Sequence, residues 1–124
     1  GAVTVSGEFT NHGKISVSST KVNGGGDFKN TGEMTVLNNF MANNDVENEG
    51  KMTIDGDLTI NGGAEFDNDC QLIVKGDLQI NKTLNNKSYV RVDGALTLNG
   101  GAKIEFESQA GATCFVLALP IDNP

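Results

Sequence analysis

Residues 28–36 read FKNTGEMTV, and the pattern of this stretch recurs along most of the chain. Phenylalanine is followed two positions later by asparagine, glycine follows two positions after that, and two apolar residues separated by one complete the stretch. Apolar residues at every second position indicate a short β-strand, because successive side chains of a strand point to opposite faces. Asparagine and glycine indicate a turn before that strand. One copy of the pattern therefore predicts a strand, a turn and a second strand.

Five copies of the pattern follow one another at intervals of 18 to 20 residues. A second apolar pair follows each of the last four copies, as at Leu58 and Ile60, and Val22 holds the corresponding place after the first. Three short strands and three turns in each repeat predict an all-β fold, a single-stranded parallel β-helix (β-solenoid) with a triangular cross-section. Parallel crossovers are right-handed by default, so we expect a right-handed helix.

The turns differ in how much their length varies. The first two corners of each repeat are nearly constant, whereas the third takes either four or six residues between inward positions. Glycine, asparagine and aspartate dominate the corners, and these residue types tolerate a positive φ. We therefore expect one edge of the triangle to accept longer loops without disturbing the stack.

The repeat divides the chain into two parts. Residues 1–106 are assigned to a β-solenoid of about five to six rungs, a rung being one circuit of the triangle. Beyond Phe106 the pattern is lost, and an apolar run at 112–119 ends before Pro120. We interpret residues 107–124 as a capping strand or a domain junction, since an open solenoid end invites association. The abrupt start and finish suggest a piece of a longer protein.

One column of the predicted stack consists of asparagines at an inward position. They are Asn11, Asn30, Asn48, Asn68 and Asn86. A buried amide needs hydrogen-bond partners, and stacked identical amides can bond to the rungs above and below. We therefore predict an amide ladder that stops where Phe106 takes the asparagine position. The alternative is that these residues occupy left-handed corner conformations, and the two interpretations are compatible.

Charge and apolar content restrict the partners. A net charge of −7 argues against nucleic acid and anionic membranes, which require clustered lysine and arginine. No apolar run approaches the ~20 residues of a membrane-spanning helix, so no membrane insertion is expected. Cys70 and Cys114 have the spacing of neither a CxxC motif nor a zinc site. They permit one internal disulfide, which the sequence does not favour.

An acidic row on an outward face is the weak candidate for a metal site. It consists of Glu8, Asp27, Asp45 and Glu65, each directly before the phenylalanine column. Stacked carboxylates repel one another, and Ca²⁺, which prefers oxygen ligands, would relieve that repulsion. The row is equally typical of a solvated face that prevents lateral pairing, and no calcium-loop motif is present. We therefore expect no cofactor, with Ca²⁺ as the possible exception.

No catalytic residue is predicted. His12 is the only histidine, and it lies in a turn at an outward position. No nucleophile or carboxylate recurs with it in a pattern that would build a triad or a metal centre. The chain is therefore not expected to be an enzyme, and His12 is interpreted as a surface residue.

The repeat resembles those of two known groups of proteins. Residues 56–60 and 76–80 read GDLTI and GDLQI, which resembles the Gly-Asp-Leu-x-Ile rungs of bactofilins, bacterial polymer-forming cytoskeletal proteins with a right-handed triangular β-helix. The Phe-x-Asn-x-Gly element is more closely similar to asparagine- and glycine-rich solenoid segments of secreted or surface proteins of Bacteroides-type bacteria, including LruC-domain proteins. Neither resemblance implies a catalytic residue.

These observations favour a non-enzymatic structural or adhesive segment of a bacterial cell-surface or secreted protein. Its partner would be a protein or glycan at the cell surface, and the C-terminal strand could support end-to-end self-association. The alternative is a bactofilin-like, polymer-forming scaffold subunit in the cytoplasm.

Overall fold

The computed structural model describes residues 2–106 as a stack of short parallel strands. The strands, numbered in chain order, are β1 (Val3–Val5), β2 (Glu8–Asn11), β3 (Lys14–Val17), β4 (Thr20–Val22), β5 (Asp27–Asn30), β6 (Glu33–Val36), β7 (Phe40–Ala42), β8 (Val46–Asn48), β9 (Lys51–Ile54), β10 (Leu58–Ile60), β11 (Glu65–Asn68), β12 (Gln71–Val74), β13 (Leu78–Ile80), β14 (Thr83–Asn86), β15 (Tyr89–Val92), β16 (Leu96–Leu98) and β17 (Lys103–Phe106).

Three parallel sheets form the sides of the solenoid. The first sheet has the order β1-β4-β7-β10-β13-β16, the second β2-β5-β8-β11-β14-β17, and the third β3-β6-β9-β12-β15. Every strand therefore pairs with the strand three places before or after it in the chain. The predicted β-solenoid is confirmed, with about six turns of three strands each.

The register keeps equivalent residues of the repeat in line. Phe9 pairs with Phe28, and Asn11 pairs with Asn30, in the first two strands of the second sheet. The last pairing of that sheet places Phe106 beside Asn86, which confirms that the asparagine column ends there. Because a shift of one residue would turn every apolar side chain outward, the period-2 pattern fixes this register.

The core is a narrow apolar column between the three sheets. Met34, Met52 and Leu72 of the third sheet are fully buried, as are Leu58 and Ile60 of the first. Aromatic rings contribute to the core from the first to the fourth rung, where four phenylalanines form a chain of ring contacts. The ring centroids are 4.9 Å apart for Phe9 and Phe28, 5.4 Å for Phe28 and Phe40, and 6.1 Å for Phe40 and Phe66.

The corner between the first and second sheets is the variable one, as predicted, and its two lengths alternate along the stack. The longer form contains a glycine pair and occurs at 23–26, 61–64 and 99–102, whereas the shorter form joins β7 to β8 and β13 to β14. The second glycine of each pair has a positive φ, at Gly25, Gly63 and Gly101. In residues 2–106 no other residue type has a positive φ.

The glycines at the other two corners serve a different purpose. A Cβ added to Gly32 would lie 2.1 Å from the carbonyl oxygen of Gly13 in the rung before, and Gly50 meets Gly32 in the same way. At Gly76 and Gly94 an added Cβ would approach the preceding rung within 2.3 Å. The expectation that positive φ explains the corner glycines is therefore wrong at these positions, where close backbone stacking requires them.

No helix in residues 2–106 is long and apolar enough to cross a membrane. The predicted capping strand or junction at 107–124 lies outside the described residues.

Candidate functional site on the second sheet

The asparagine column of the second sheet is a continuous amide ladder. Each Nδ2 donates to the Oδ1 of the next asparagine at 2.8 to 3.0 Å, from Asn11 through to Asn86. The same Nδ2 atoms also donate to a backbone carbonyl of the next rung, as Asn48 does to Gln71 at 2.8 Å. Asn30, Asn48 and Asn68 are fully buried. The predicted ladder is confirmed, and the left-handed alternative is wrong because no asparagine in residues 2–106 has a positive φ.

A second amide ladder, which the sequence did not reveal, follows the variable corner. Asn61 donates to Asn43, Asn81 donates to Asn61 at 3.1 Å, and Asn99 donates to Asn81 at 2.6 Å. These donors point toward the N-terminal end, whereas those of the first ladder point toward the C-terminal end. Each of these asparagines directly follows a first-sheet strand, and that shared position was the available signal.

A third line of bonds connects the rungs at the corner between the third and first sheets. The Oδ1 atoms of Asn39, Asp57 and Asp77 accept the backbone N–H of the equivalent residue in the next rung, which directly precedes a first-sheet strand, at 2.8 to 2.9 Å. These aspartates therefore satisfy backbone donors along the stack. All three corners thus carry side-chain hydrogen bonds that run parallel to the solenoid axis.

The predicted acidic row lies on the outer face of the second sheet. Glu8 and Asp27 are paired neighbours on β2 and β5. Asp45 precedes β8, and its Oδ1 accepts the backbone N–H of Glu65 at 3.0 Å. All four carboxylates are exposed. The structure therefore aligns the row, and it gives Asp45 a backbone partner.

A shallow depression of about 360 Å³ lies on this same face. Its polar lining includes Glu8, Asp27 and Asp45 from the row, Glu47 and Asp67 from the neighbouring column, and one cation, Lys29. Five carboxylates around one ammonium group make the depression a surface suited to cationic groups.

The tightest carboxylate cluster of the described residues lies beside that depression and differs from the predicted row. It consists of Glu47, Glu49 and Asp69, whose ligand oxygens lie within 4.8 Å of one another. Such a set could supply oxygen ligands to a hard cation such as Ca²⁺. Two lysines already neutralise part of its charge, because Lys29 lies 3.4 Å from Glu49 and Lys87 lies 3.8 Å from Asp69.

The three carboxyl groups of this cluster differ in the direction in which their pKa is shifted. A side-chain hydrogen bond with Glu49 raises the pKa of Glu47, and burial and the negative charge of Glu49 add to that effect. The same hydrogen bond lowers the pKa of Glu49, with help from Lys29. Burial raises the pKa of Asp69, against the opposing effect of Lys87. Glu47 is therefore the group of the glutamate pair that holds a proton more readily.

The acidic row predicted from the sequence does not include Glu47, Glu49 or Asp69. A signal was present, since acidic residues flank the ladder asparagine on both sides at 47–49 and again at 67–69. The two triplets lie in adjacent rungs, because Asn48 pairs with Asn68.

His12 and Cys70, which the sequence analysis also considered, both have partners within the structure. His12 is exposed, as expected, and its Nδ1 lies 2.7 Å from Thr31 Oγ1 in the next rung. Cys70 is buried at the corner between β11 and β12, and it is disulfide-bonded. The sequence did not favour a disulfide, and that expectation is wrong for Cys70, because the spacing of two cysteines in a solenoid says little about their distance in space.

No protein-family model, curated protein or solved structure matches this chain.

Proposed function

We propose that this chain is a non-enzymatic structural or adhesive β-solenoid segment of a bacterial cell-surface or secreted protein. One observation carries the proposal: every rung is joined to the next by strand pairing on its sides and by side-chain hydrogen bonds at its corners. An element bonded in this way along its axis is suited to serve as a rigid spacer. Six strands at about 4.8 Å give a rod of roughly 25 Å.

The outer face of the second sheet is the surface that we propose for adhesion. The acidic row and the depression beside it present carboxylates at regular intervals on a flat sheet. Such a surface favours a cationic patch of a partner protein, or a glycan whose hydroxyls donate hydrogen bonds to carboxylates. It disfavours nucleic acid, because the phosphates would be repelled.

Cell fractionation tests the proposed location. Protease treatment of intact bacteria should remove the protein detected by an antibody to the solenoid, whereas a cytoplasmic marker should survive. Protein found solely in the cytosol would overturn the surface assignment.

Reversing the charges of the acidic row tests whether this face mediates adhesion. The triple variant Glu8→Lys, Asp27→Lys, Asp45→Lys should lose binding to immobilised glycans and to basic surface proteins. The matched control reverses three partly exposed acidic residues of the third sheet and its following corner, Glu33→Lys, Asp55→Lys and Asp93→Lys, and should retain binding. Equal retention by both variants would show that the acidic row is not the binding surface.

A bactofilin-like scaffold subunit is the second candidate. Within residues 2–106 the strands at both ends of the stack have one unpaired edge, and paired edges between copies would build a filament. Negative-stain electron microscopy of purified protein distinguishes the two candidates. Filaments would favour the scaffold, with a cytoplasmic location, and monodisperse particles would favour the spacer.

A further inference from the structure

The longer form of the variable corner places an Asn-Gly dipeptide on the same backbone turn each time. The asparagine carbonyl accepts the N–H of the residue three positions later, at 2.9 Å for Asn23, 3.1 Å for Asn61 and 2.8 Å for Asn99. At Gly24 and Gly62 the backbone is exposed, and an added Cβ would meet nothing within 4 Å. Within residues 2–106 the N–H of neither glycine donates a hydrogen bond, so both nitrogens are accessible.

Asparagine before glycine is prone to spontaneous deamidation, because glycine has no side chain to keep its backbone nitrogen away from the asparagine side chain. The glycine nitrogen attacks Cγ of the asparagine, the new N–C bond closes a succinimide ring, and the Cγ–Nδ2 bond breaks. Nδ2 leaves as ammonia and takes the glycine amide proton with it. Water then opens the ring at either carbonyl and leaves aspartate or isoaspartate. The net change is the addition of water and the loss of ammonia.

The side chains of Asn23 and Asn61 differ in how they are held. Asn61 lies inside the second amide ladder, where its Nδ2 donates to Asn43 and its Oδ1 accepts a hydrogen bond from Asn81 at 3.1 Å. Asn23 occupies the equivalent place one rung before Asn43, but its side chain makes no hydrogen bond within residues 2–106. Both asparagines are half-buried, so burial does not distinguish them. Asn61 must break two hydrogen bonds before its Cγ turns toward the glycine nitrogen, and Asn23 breaks none.

We propose that Asn23 is a modification site, where spontaneous deamidation converts the side chain to aspartate or isoaspartate, and that the amide ladder protects the equivalent Asn61. The product adds a negative charge at the corner that leads into β5, four residues before Asp27 of the acidic row. It breaks no side-chain hydrogen bond of the stack. The negative charge of the protein therefore increases with the age of the molecule. This inference stands independently of the proposed function.

Incubation of the native protein at neutral pH, followed by peptide mapping, tests the proposal. Trypsin cleaves after lysine and releases Asn23 in peptide 22–29 and Asn61 in peptide 52–75. Samples are reduced before digestion, and fragment ions separate Asn61 from Asn68. Loss of the amide at Asn23 should be at least about fivefold faster than at Asn61, because two hydrogen bonds hold the Asn61 amide. Equal rates, or an unreactive Asn23, would overturn the proposal.

The two excised peptides provide the control for intrinsic reactivity. In both, a β-branched residue precedes Asn-Gly-Gly, namely Val22 or Ile60. The peptides incubated under the same conditions should therefore deamidate at similar rates. A difference as large in the peptides as in the native protein would place its cause in the local sequence and overturn the role of the ladder.

Removal of one ladder member tests the protection itself. Asn81→Ala deletes the donor to the Asn61 oxygen and should raise the rate at Asn61 at least about twofold, while the rate at Asn23 in the same molecule stays constant. Lys82→Ala, at the neighbouring exposed position, is the matched control and should change neither rate. An unchanged Asn61, or an equal increase at both asparagines, would overturn the protective role of the ladder.

Melting temperatures test whether the stack tolerates the modification. Asn23→Asp, which reproduces one product, should melt at the temperature of the wild type. Asn61→Asp should melt at a lower temperature, because it loses its hydrogen-bond donor to Asn43. A lowered melting temperature of Asn23→Asp equal to that of Asn61→Asp would overturn the assignment of Asn23 as the unbonded member of the column.

Discussion

Buried amides decide how the rungs of this solenoid are held in register. A ladder asparagine must find both a donor and an acceptor in the adjacent rungs, and an apolar residue at the same place would leave those groups unpaired. The sequence revealed the ladder of the second sheet, because its asparagines stand at a constant distance from the apolar pair. The ladder at the variable corner was missed, because asparagine is followed there by Asn-Asp, Gly-Gly or Lys-Thr and the pattern is hidden.

Replacing Asn48 with leucine should destabilise the protein by about 2–3 kcal/mol. The change removes the acceptor of the Asn30 amide and the donor to the Asn68 oxygen, both fully buried. Asn43→Leu is the control, since its amide partner Asn61 lies in a part-buried corner where water can replace the bond. Urea denaturation gives both free energies of unfolding. Equal midpoints for the two variants would contradict the importance of the buried ladder.

Gly50→Ala should cost about 1–3 kcal/mol or more, because the new methyl group would lie 2.1 Å from the Gly32 carbonyl oxygen and force the two rungs apart. Gly62→Ala provides the matched control. An added Cβ at Gly62 meets nothing within 4 Å, so this variant should be neutral or slightly more stable. Thermal melting followed by circular dichroism measures both, and a neutral Gly50→Ala would show that the rungs can separate without cost.

Glu47→Gln should stabilise the protein near neutral pH. The raised pKa of Glu47 means that the folded state favours its protonated form, so its contribution to stability is present below the ordinary value of 4.5 and falls as the pH rises through the raised value. Glutamine keeps a hydrogen-bond donor toward Glu49 without the negative charge. Glu49 has the opposite sign, since its lowered pKa gives stability that is lost as the pH falls.

Melting temperatures of wild type and Glu47→Gln over a pH series check this prediction. The difference should be largest near neutral pH and should shrink below pH 4.5, where Glu47 is protonated. Glu8→Gln on the same sheet serves as the control for removal of one exposed charge. A constant difference at every pH would mean that the charge of Glu47 is irrelevant.

At the scale of strands and corners, the sequence predicted the parallel three-sided repeat because each strand alternates apolar and polar residues and each corner has its own turn residues. The reason for the corner glycines was not accessible, because the close approach between Gly32 and Gly13 depends on the stacking of two rungs. The carboxylate cluster could not be predicted from the sequence for the same reason. Glu49 and Asp69 are twenty residues apart in the chain, and only the pairing of adjacent rungs joins them.

At the scale of the whole molecule, the strand pairing within residues 2–106 connects each strand only with the equivalent strands of the adjacent rungs. Stability in such a stack is close to a sum of rung and interface terms, so its ends should open more readily than its middle. The handedness of the helix stays a prediction from the sequence.

Amide hydrogen exchange measures how readily each strand of the stack opens. Amides of β9, which pairs with both β6 and β12, should exchange at least about tenfold more slowly than those of β3, which pairs within residues 2–106 only with β6. Exchange measured by NMR gives the rates strand by strand. Uniform protection across the stack would show instead that the solenoid opens only in a single cooperative step.

The alternation at the variable corner has a genetic consequence. The first glycines of the pairs are Gly24, Gly62 and Gly100, which are separated by 38 residues each time. The pattern of the variable corner therefore repeats over a pair of unlike rungs and not over a single rung. A gene that lengthens by duplicating this segment adds about 10 Å with every copy and preserves the alternation. Loss of an odd number of rungs would instead bring two like corners together.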